Sequence, residues 1–326
     1  MNQQLSLRPP LSALDCSVIV VSWNTRDLLS ACLASLFEHT RSVTFEAIVV
    51  DNASSDGTCD MLAQDFPDVI VIENDTNDGF ACGCNQGMRV AQGRVFVLLN
   101  SDTRLIEDAI GGCVRDLESD AGLGVMAPAL VFDDGAPQPS CGRFPTVWGS
   151  VRSSFDLLGL VQRIRDRRSH FVSPYLTQKQ HEVRREVDWV LGACVIVRRE
   201  AVADAGLLDE TIFLFAEEWD WEYRIREAGW RIMLNPDRKL VHVGSASWAL
   251  ADGARVAAVL RGMHYFYRKH YGRGSALRFT LFTCLVATAK VVGCLPLLLI
   301  PGMWTSAWGG LRCNLAKLRW CLSRAT

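Results

Sequence analysis

The sequence lacks the signatures that make assignment easy. No G-x-G-x-x-G follows the first apolar run and no G-x-x-x-x-G-K-S/T occurs, which argues against dinucleotide-binding and P-loop enzymes. The 12 cysteines are scattered and none form a C-x-x-C pair, so neither a zinc site nor a disulfide scaffold is expected in 326 residues. Reduced thiols in a cytosolic setting are expected instead, with Cys82 and Cys84 as small packing residues. Met1 to Asp15 has no long apolar run after a basic start, so no signal peptide is expected. Repeats and low-complexity tracts are missing too. Residues 253–326 contain no acid at all against 11 Lys and Arg, whereas residues 1–252 hold 36 acids and 23 bases.

What is present is a chain 49 % hydrophobic and 21 % charged, which excludes a disordered protein and can bury a core without staples. Val18-Ile19-Val20-Val21 is a β-branched run closed by Ser22-Trp23-Asn24, and Leu28, Leu29, Cys32, Leu33, Leu36 and Phe37 then recur at helical spacing. Ala47 to Val50 ends at Asp51. A helix is predicted near Cys59–Asp65, a strand over Val69–Ile72, a glycine-rich helix entry over Asp78–Gly87, and a strand from Val95 to Leu99 that ends at Asn100-Ser101-Asp102. Alternating short apolar strands and helices predict a parallel sheet covered on both faces, with ligands beyond the carboxyl ends of its strands. Asn24, Asp51 and Asp102 all fall at such ends. The middle, about 130–185, reads as loop-rich; its basic stretch Arg163–Arg168 suits either a solvated loop or an anion site. Val187 to Val197 returns to strand character, and Glu217–Gly229 reads as a helix with acids at its N-terminus, where the helix dipole favours them.

In order, Val18–Asn24, Val49-Val50-Asp51-Asn52-Ala53-Ser54-Ser55-Asp56-Gly57-Thr58, Asn77-Asp78-Gly79-Phe80-Ala81 through Asn85-Gln86-Gly87, and Leu98-Leu99-Asn100-Ser101-Asp102-Thr103 resemble the successive motifs of glycosyltransferase family 2, in its rhamnosyltransferase-like branch. Trp189 to Cys194, Phe215-Ala216-Glu217-Glu218-Trp219-Asp220 with Arg224 and Gly229-Trp230, and Val241-His242-Val243-Gly244 continue the resemblance, which runs from about 16 to 248. It implies a GT-A fold: a Rossmann-like α/β domain for nucleotide-diphospho-sugar transfer, with a mainly parallel sheet. The expected organisation is an N-terminal extension at 1–15, a GT-A domain at 16–250 and a basic, apolar helical region at 251–326.

Transfer from a nucleotide sugar needs the base held, the diphosphate neutralised and the anomeric carbon presented to an acceptor hydroxyl. The resemblance assigns Ser22, Trp23, Asn24 and Asp51 to the nucleotide, where Asp51 can accept the imide N–H of uracil or thymine; as a bare strand end it is equally a turn cap. It assigns Asn77, Gly79, Phe80 and Asn85 to donor sugar and diphosphate, helix–sheet packing being the other use of those glycines. Asn100, Ser101 and Asp102 stand where the family has its D-x-D motif, of which only the last carboxylate remains. Asp102 would bind Mg²⁺ or Mn²⁺, and His242 is either a further metal ligand or a structural histidine. The resemblance implies an inverting displacement with one carboxylate as base. Glu218 takes that place, one methylene longer than the usual Asp, with Glu217 and Asp220 orienting it or pairing with Arg224. Trp219, Trp221 and Trp230 suit either acceptor stacking or core packing.

Residues 279–300 hold a single charge, Lys290, and are long enough to span a membrane. Arg268, Lys269, Arg273 and Arg278 precede the run and Arg312, Lys317, Arg319 and Arg324 follow it, so both flanks suit the cytoplasmic side. Gly293, Pro296, Pro301 and Gly302 interrupt it. A re-entrant or interfacial element held by anionic lipid is expected, with a soluble helix pair as the alternative; nucleic acid is not an expected partner. The expected activity is transfer of a sugar, rhamnose among the candidates, from a UDP- or dTDP-sugar to a lipid-linked glycan or polysaccharide acceptor at the cytoplasmic face of a bacterial inner membrane. A catalytically impaired sugar-nucleotide-binding subunit and a membrane scaffold of polysaccharide assembly remain alternatives.

Overall fold

A computed structural model of the protein describes residues 7–146, 175–213, 215–244, 252–294 and 304–323. The basic stretch at 163–168 and residues Pro296, Pro301, Gly302 and Arg324 lie outside them. The described residues fall into two compact units.

The first unit is α/β. In chain order it runs β1 (Cys16–Ser22), α1 (Arg26–His39), β2 (Phe45–Asp51), α2 (Thr58–Asp65), β3 (Ile70–Glu73), α3 (Phe80–Val90), β4 (Val95–Asn100), β5 (Thr103–Leu105), α4 (Ala109–Glu118) and β6 (Leu123–Val131). After these come β7 (Cys141–Gly142), α5 (Gln178–His181), β8 (Arg185–Glu186), β9 (Trp189–Val190), β10 (Cys194–Arg198), α6 (Arg199–Ala205), α7 (Glu217–Glu227) and β11 (Arg231–His242). The large sheet has the order β3-β2-β1-β4-β10-β6-β11-β5, with β8 paired to β11, and β7 and β9 form a separate ribbon. β3, β2, β1 and β4 are mutually parallel, β10 inserts antiparallel between β4 and β6, and β6 runs parallel to β11. The expected strand–helix alternation is therefore found, in a mostly parallel mixed sheet.

The apolar strands are buried on both faces. Val18, Val20, Val49, Val97 and Leu99 pack with Leu29 and Leu33 of α1; Ile19, Ile48, Phe96 and Leu98 pack with Met88 of α3 and with Trp221 and Ile225 of α7. The period of two in each strand sorts the side chains between these cores. In β11 the pairing with β6 shifts between Asn235 and Lys239, so that residues 236–238 bulge before Lys239–Val241 resume the register.

The second unit holds three helices among the described residues: α8 (Asp252–Tyr271), α9 (Arg273–Cys294) and α10 (Trp304–Leu322). Leu260, Tyr267, Ala276, Phe279, Trp320 and Cys321 form its core. The helix that contains the start of the apolar run begins earlier, at Arg273, and Gly293 is its next-to-last described residue. α9 is long and apolar enough to cross a membrane by length and composition. Phe215 and Ala216 also belong to this unit. Both have positive φ, 68° and 74°, a conformation that costs a non-glycine residue roughly 1–3 kcal/mol.

Candidate active site at the carboxyl edge of the sheet

The register of the parallel strands places the polar strand ends side by side. Ser22 is aligned with Asp51, and Val21 with Asn100. Short hydrogen bonds then tie the three loops together. Ser22 Oγ lies 2.9 Å from Thr25 Oγ1, which donates to Ser101 Oγ at 3.0 Å. The Asn24 amide N–H donates to Ser54 Oγ, and Asn24 Oδ1 accepts from the Ser55 N–H, both at 2.8 Å. Asn24 and Ala53 adopt positive φ to allow this. Between them Trp23 stands 54 % exposed, an aromatic face open to a planar ligand.

Asp51 is buried, and its Oδ2 accepts the Ser54 N–H at 2.8 Å. Its Oδ1 is buried and has no close hydrogen-bond partner among the described residues, the Cys59 thiol being the neighbouring group, so this oxygen is available to a further donor. The Asp51 charge adds to burial in pushing the neighbouring Cys59 thiol up to about 12.

Amides fix the next loop. Asn74 Nδ2 donates to Asn52 Oδ1 and Gln86 Oε1; Asn52 Nδ2 donates to Gly79 O at 3.3 Å; the Gly79 N–H donates to Asn77 Oδ1 at 3.1 Å. Gly79 has φ 90°, and a Cβ there would lie 2.9 Å from the Phe213 carbonyl oxygen, so glycine is required. Phe80 opens α3 half-buried. Asn85 was assigned to the donor by resemblance, yet its Nδ2 donates to Leu208 O and Glu210 Oε1 while its Oδ1 accepts the Leu208 N–H. It is spent on holding the 208–210 loop to α3.

Asn100 ends β4, with its N–H on Ala193 O and its carbonyl accepting from Thr103 Oγ1. Pairing of β11 with β5 sets His242 opposite Thr103, and the Val243 N–H donates to Asp102 O at 2.9 Å. Asp102 Oδ1 and His242 Nε2 are thereby 3.3 Å apart, both side chains buried. Gln138 Oε1 lies 3.1 Å from His242 Nδ1, and among the described residues Nε2 has no hydrogen-bond partner, its neighbour being the Asp102 oxygen. With Nδ1–H donating to Gln138, Nε2 is the ring nitrogen that faces the carboxylate. Asp102 and His242 therefore fit a divalent metal, provided diphosphate or water supplies the remaining oxygens; among the described residues no cluster of three or more His, Cys, Asp and Glu exists.

α7 carries the acids. Glu217 is buried with Oε2 unpartnered, and burial, then the charge of Glu218, raises its carboxyl well above the ordinary range. Glu218 is half-buried, and its charge, after burial, helps raise the Tyr175 hydroxyl. Tyr175 packs on Trp189 at 5.0 Å and Trp189 on Trp219 at 5.4 Å, which leaves Trp219 on the Glu218 side of the helix start. Asp220 is fully buried and accepts from Arg224 Nε at 3.0 Å, while Arg224 also donates to the carbonyls of Ala205 and Leu207. Of the two uses expected for Asp220, the pairing with Arg224 is the one seen here. Trp221 is core, with Nε1 on Gly206 O, and Trp230 Nε1 donates to Asp204.

Glu222, which no sequence pattern flagged, is also fully buried: Oε2 accepts the Val190 N–H at 2.9 Å and Oε1 has no partner. Only its position one turn beyond Glu218 hinted at a role. Thr25 and Gln138 were likewise illegible, since each acts through a contact distant in sequence.

The sequence profile described as glycosyl transferase family 2 matches residues 17–205. This chain belongs to that family. It is a glycosyltransferase with a GT-A fold. The N-acetylglucosaminyl-diphospho-decaprenol L-rhamnosyltransferase of Mycobacterium tuberculosis (strain ATCC 25618 / H37Rv) is 25 % identical over 280 residues, 81 % of this chain and 88 % of that one. The low-salt glycan biosynthesis hexosyltransferase Agl10 of Haloferax volcanii is 24 % identical over 216 residues, 65 % of this chain and 62 % of that one. Among solved structures, the mannosyltransferase PcManGT from Pyrobaculum calidifontis, in complex with GDP-Man and Mn²⁺, superposes with a TM-score of 0.53 at 18 % identity, covering 96 % of this chain and 90 % of that one. The family match ends before α7, so the roles of the acids there rest on geometry.

Burial of Glu222 has a measurable consequence. Below its ordinary pKa of 4.5, folded and unfolded chains both carry the proton; above it the unfolded chain ionises first and stability is lost until the raised folded carboxyl titrates. Glu222→Gln is spared that loss. Thermal unfolding of wild type and variant should coincide near pH 4 and diverge with rising pH, the variant being the more stable. A gap independent of pH would mean that Glu222 is not held as the neutral acid.

Proposed function

We propose that this glycosyltransferase is an inverting enzyme that moves a sugar, rhamnose first among the candidates, from a dTDP- or UDP-linked donor to a lipid-linked acceptor of cell-surface glycan synthesis. The observation that carries the reading is the buried Oδ1 of Asp51, without a close partner among the described residues and on the strand end aligned with Ser22, next to exposed Trp23 in sequence. It suits the imide N–H of a uracil or thymine base, which a purine such as guanine presents differently. The decaprenol-linked substrate named for the mycobacterial relative supports a lipid-linked acceptor.

In this reading the Asn77–Gly79 backbone lies against the donor diphosphate and sugar. Glu218 accepts the proton of the acceptor hydroxyl as its oxygen bonds to the anomeric carbon; the bond from that carbon to the diphosphate breaks on the opposite face and the electron pair leaves with the nucleotide. Glu217 lies beside Glu218, its carboxyl raised by burial and then by the charge of that neighbour. Asp102 and His242 would hold a Mg²⁺ or Mn²⁺ ion, which supplies charge neutralisation of the leaving diphosphate.

The second unit supports work at a membrane. On α9, Leu277, Leu281, Leu285 and Val292 recur on one face and are each at least 58 % exposed. On α10, Trp308, Arg312, Leu315, Arg319 and Leu322 share a face at three- and four-residue steps, all exposed. With no acid in 253–326, this apolar surface is rimmed by cations alone. It suits the interface of an anionic bilayer, and like charges oppose pairing with a second copy.

Thermal shift tests the donor site: dTDP or UDP should raise Tm further with Mn²⁺ than without, GDP should not, and Asp102→Asn should lose the Mn²⁺-dependent part. No shift with any of these nucleotides would overturn the reading. Glu218→Gln should keep the nucleotide shift and lose about 10²–10⁴-fold in turnover with dTDP-rhamnose and polyprenyl-diphospho-N-acetylglucosamine; near-normal turnover would exclude it as base. The full chain should sediment with phosphatidylglycerol-containing vesicles, less so at high salt, and not with pure phosphatidylcholine. Equal binding to both would remove the electrostatic part of the membrane reading.

A further inference from the structure

We infer that Gln138 is a positioning residue for His242: it holds the imidazole in the tautomer whose bare nitrogen faces Asp102. The inference rests on the metal-binding reading of that pair and adds the residue that readies the ring. All three residues belong to the first unit. The sequence already restrains Gln138, which stands between Pro137, with its fixed φ, and Pro139, which favours extended backbone in the residue before it. Ahead of it the chain turns back: the Phe132 N–H donates to Ala136 O, the Gly135 N–H donates to Phe132 O, and Gly135 takes φ 77°. The Gln138 N–H then donates to Leu130 O at 2.9 Å, which sets Gln138 beside the end of β6. Leu130 is aligned with Leu240 of β11, two residues before His242. These two pairings bring the amide to the ring, with Oε1 3.1 Å from Nδ1. An amide oxygen only accepts, so this contact keeps a ring proton on Nδ1. On its other side the ring faces a competitor. Asp102 Oδ1, 3.3 Å from Nε2, is also an acceptor, and without Gln138 it would draw the proton to Nε2. A proton there would occupy the lone pair that a divalent cation needs. Among the described residues Nε2 makes no hydrogen bond, which is the arrangement the Nδ1–H form gives.

Imidazole nitrogen NMR of the full-length protein with labelled histidine, free of metal and at about pH 9, reads which nitrogen carries the proton. The chain has six histidines, and the His242 signals are those missing from His242→Gln. The wild type should show Nδ1–H, a result that needs no further variant; a proton on Nε2 overturns the inference. Gln138→Leu, similar in size but without the acceptor, should move the proton to Nε2. Gln138→Glu, which restores an acceptor at the same length, should return it to Nδ1. Mn²⁺ binding, read from the electron paramagnetic resonance of the free ion with dTDP or UDP present, should weaken about 10- to 100-fold in Gln138→Leu and stay close to wild type in Gln138→Glu. Metal-free nucleotide binding should match wild type in both variants, which separates this role from a general loosening of the site. An unchanged tautomer in Gln138→Leu overturns the hold on the ring, and a changed tautomer with unchanged Mn²⁺ affinity overturns its importance for the metal. If the wild type itself binds no Mn²⁺, the metal reading fails by itself. The tautomer in wild type against Gln138→Leu then decides the hold on the ring alone.

Discussion

The chemistry of this chain depends on the register of four parallel strands. With β1 in phase with β2 and β4, Ser22 stands opposite Asp51 and Val21 opposite Asn100, so three loops issue from one edge at adjacent points. A slip of one residue would send every side chain of a strand to the other face. The two apolar cores forbid it: Val18 and Val20 belong to one, Ile19 to the other. Burial thus fixes the coordinates of the polar residues, and the hydroxyl and amide contacts among Ser22, Thr25, Ser101, Asn24 and Ser54 convert that alignment into a rigid rim. The rim leaves one valence open, on Asp51.

The acids of α7 look alike in sequence and are set apart by their surroundings. Asp220 has a guanidinium 3.0 Å away and serves to bind the helix to the 205–207 carbonyls. Glu217 and Glu222 are buried, and burial raises both carboxyls well above the ordinary range. Glu218 alone among the four is half-exposed. Four carboxylates within six positions would repel one another and the helix could not pack its Trp221 and Ile225 into the core. The raised carboxyls of Glu217 and Glu222 and the pairing of Asp220 with Arg224 relieve that repulsion.

Much of this was legible beforehand. The βαβ alternation, the three polar strand ends and the position of the acid-led helix follow from local pattern, because period-two and period-3.6 burial leave a direct imprint. Asp102 with His242 was legible only as a possibility, since 140 residues separate them and only the pairing of β11 with β5 unites them. The structural use of Asn85 was hidden for a related reason: its amide bonds to the 208–210 loop, more than 120 residues on, and no local pattern marks that contact. The extent of α9 differed because hydropathy marks apolar content, whereas helix limits answer to backbone geometry.

The bulge of β11 carries a consequence for how this site tolerates change. Residues 236–238 add length to one strand without a counterpart in β6, and Lys239–Val241 are re-indexed afterwards by β6 on one side and β5 on the other. The position of His242 is therefore counted from its neighbours and not from the start of its own strand. Chain length gained or lost in that loop is absorbed locally, as slack in a belt that is clamped again before it reaches the wheel, and the distance from His242 to Asp102 is insulated from it.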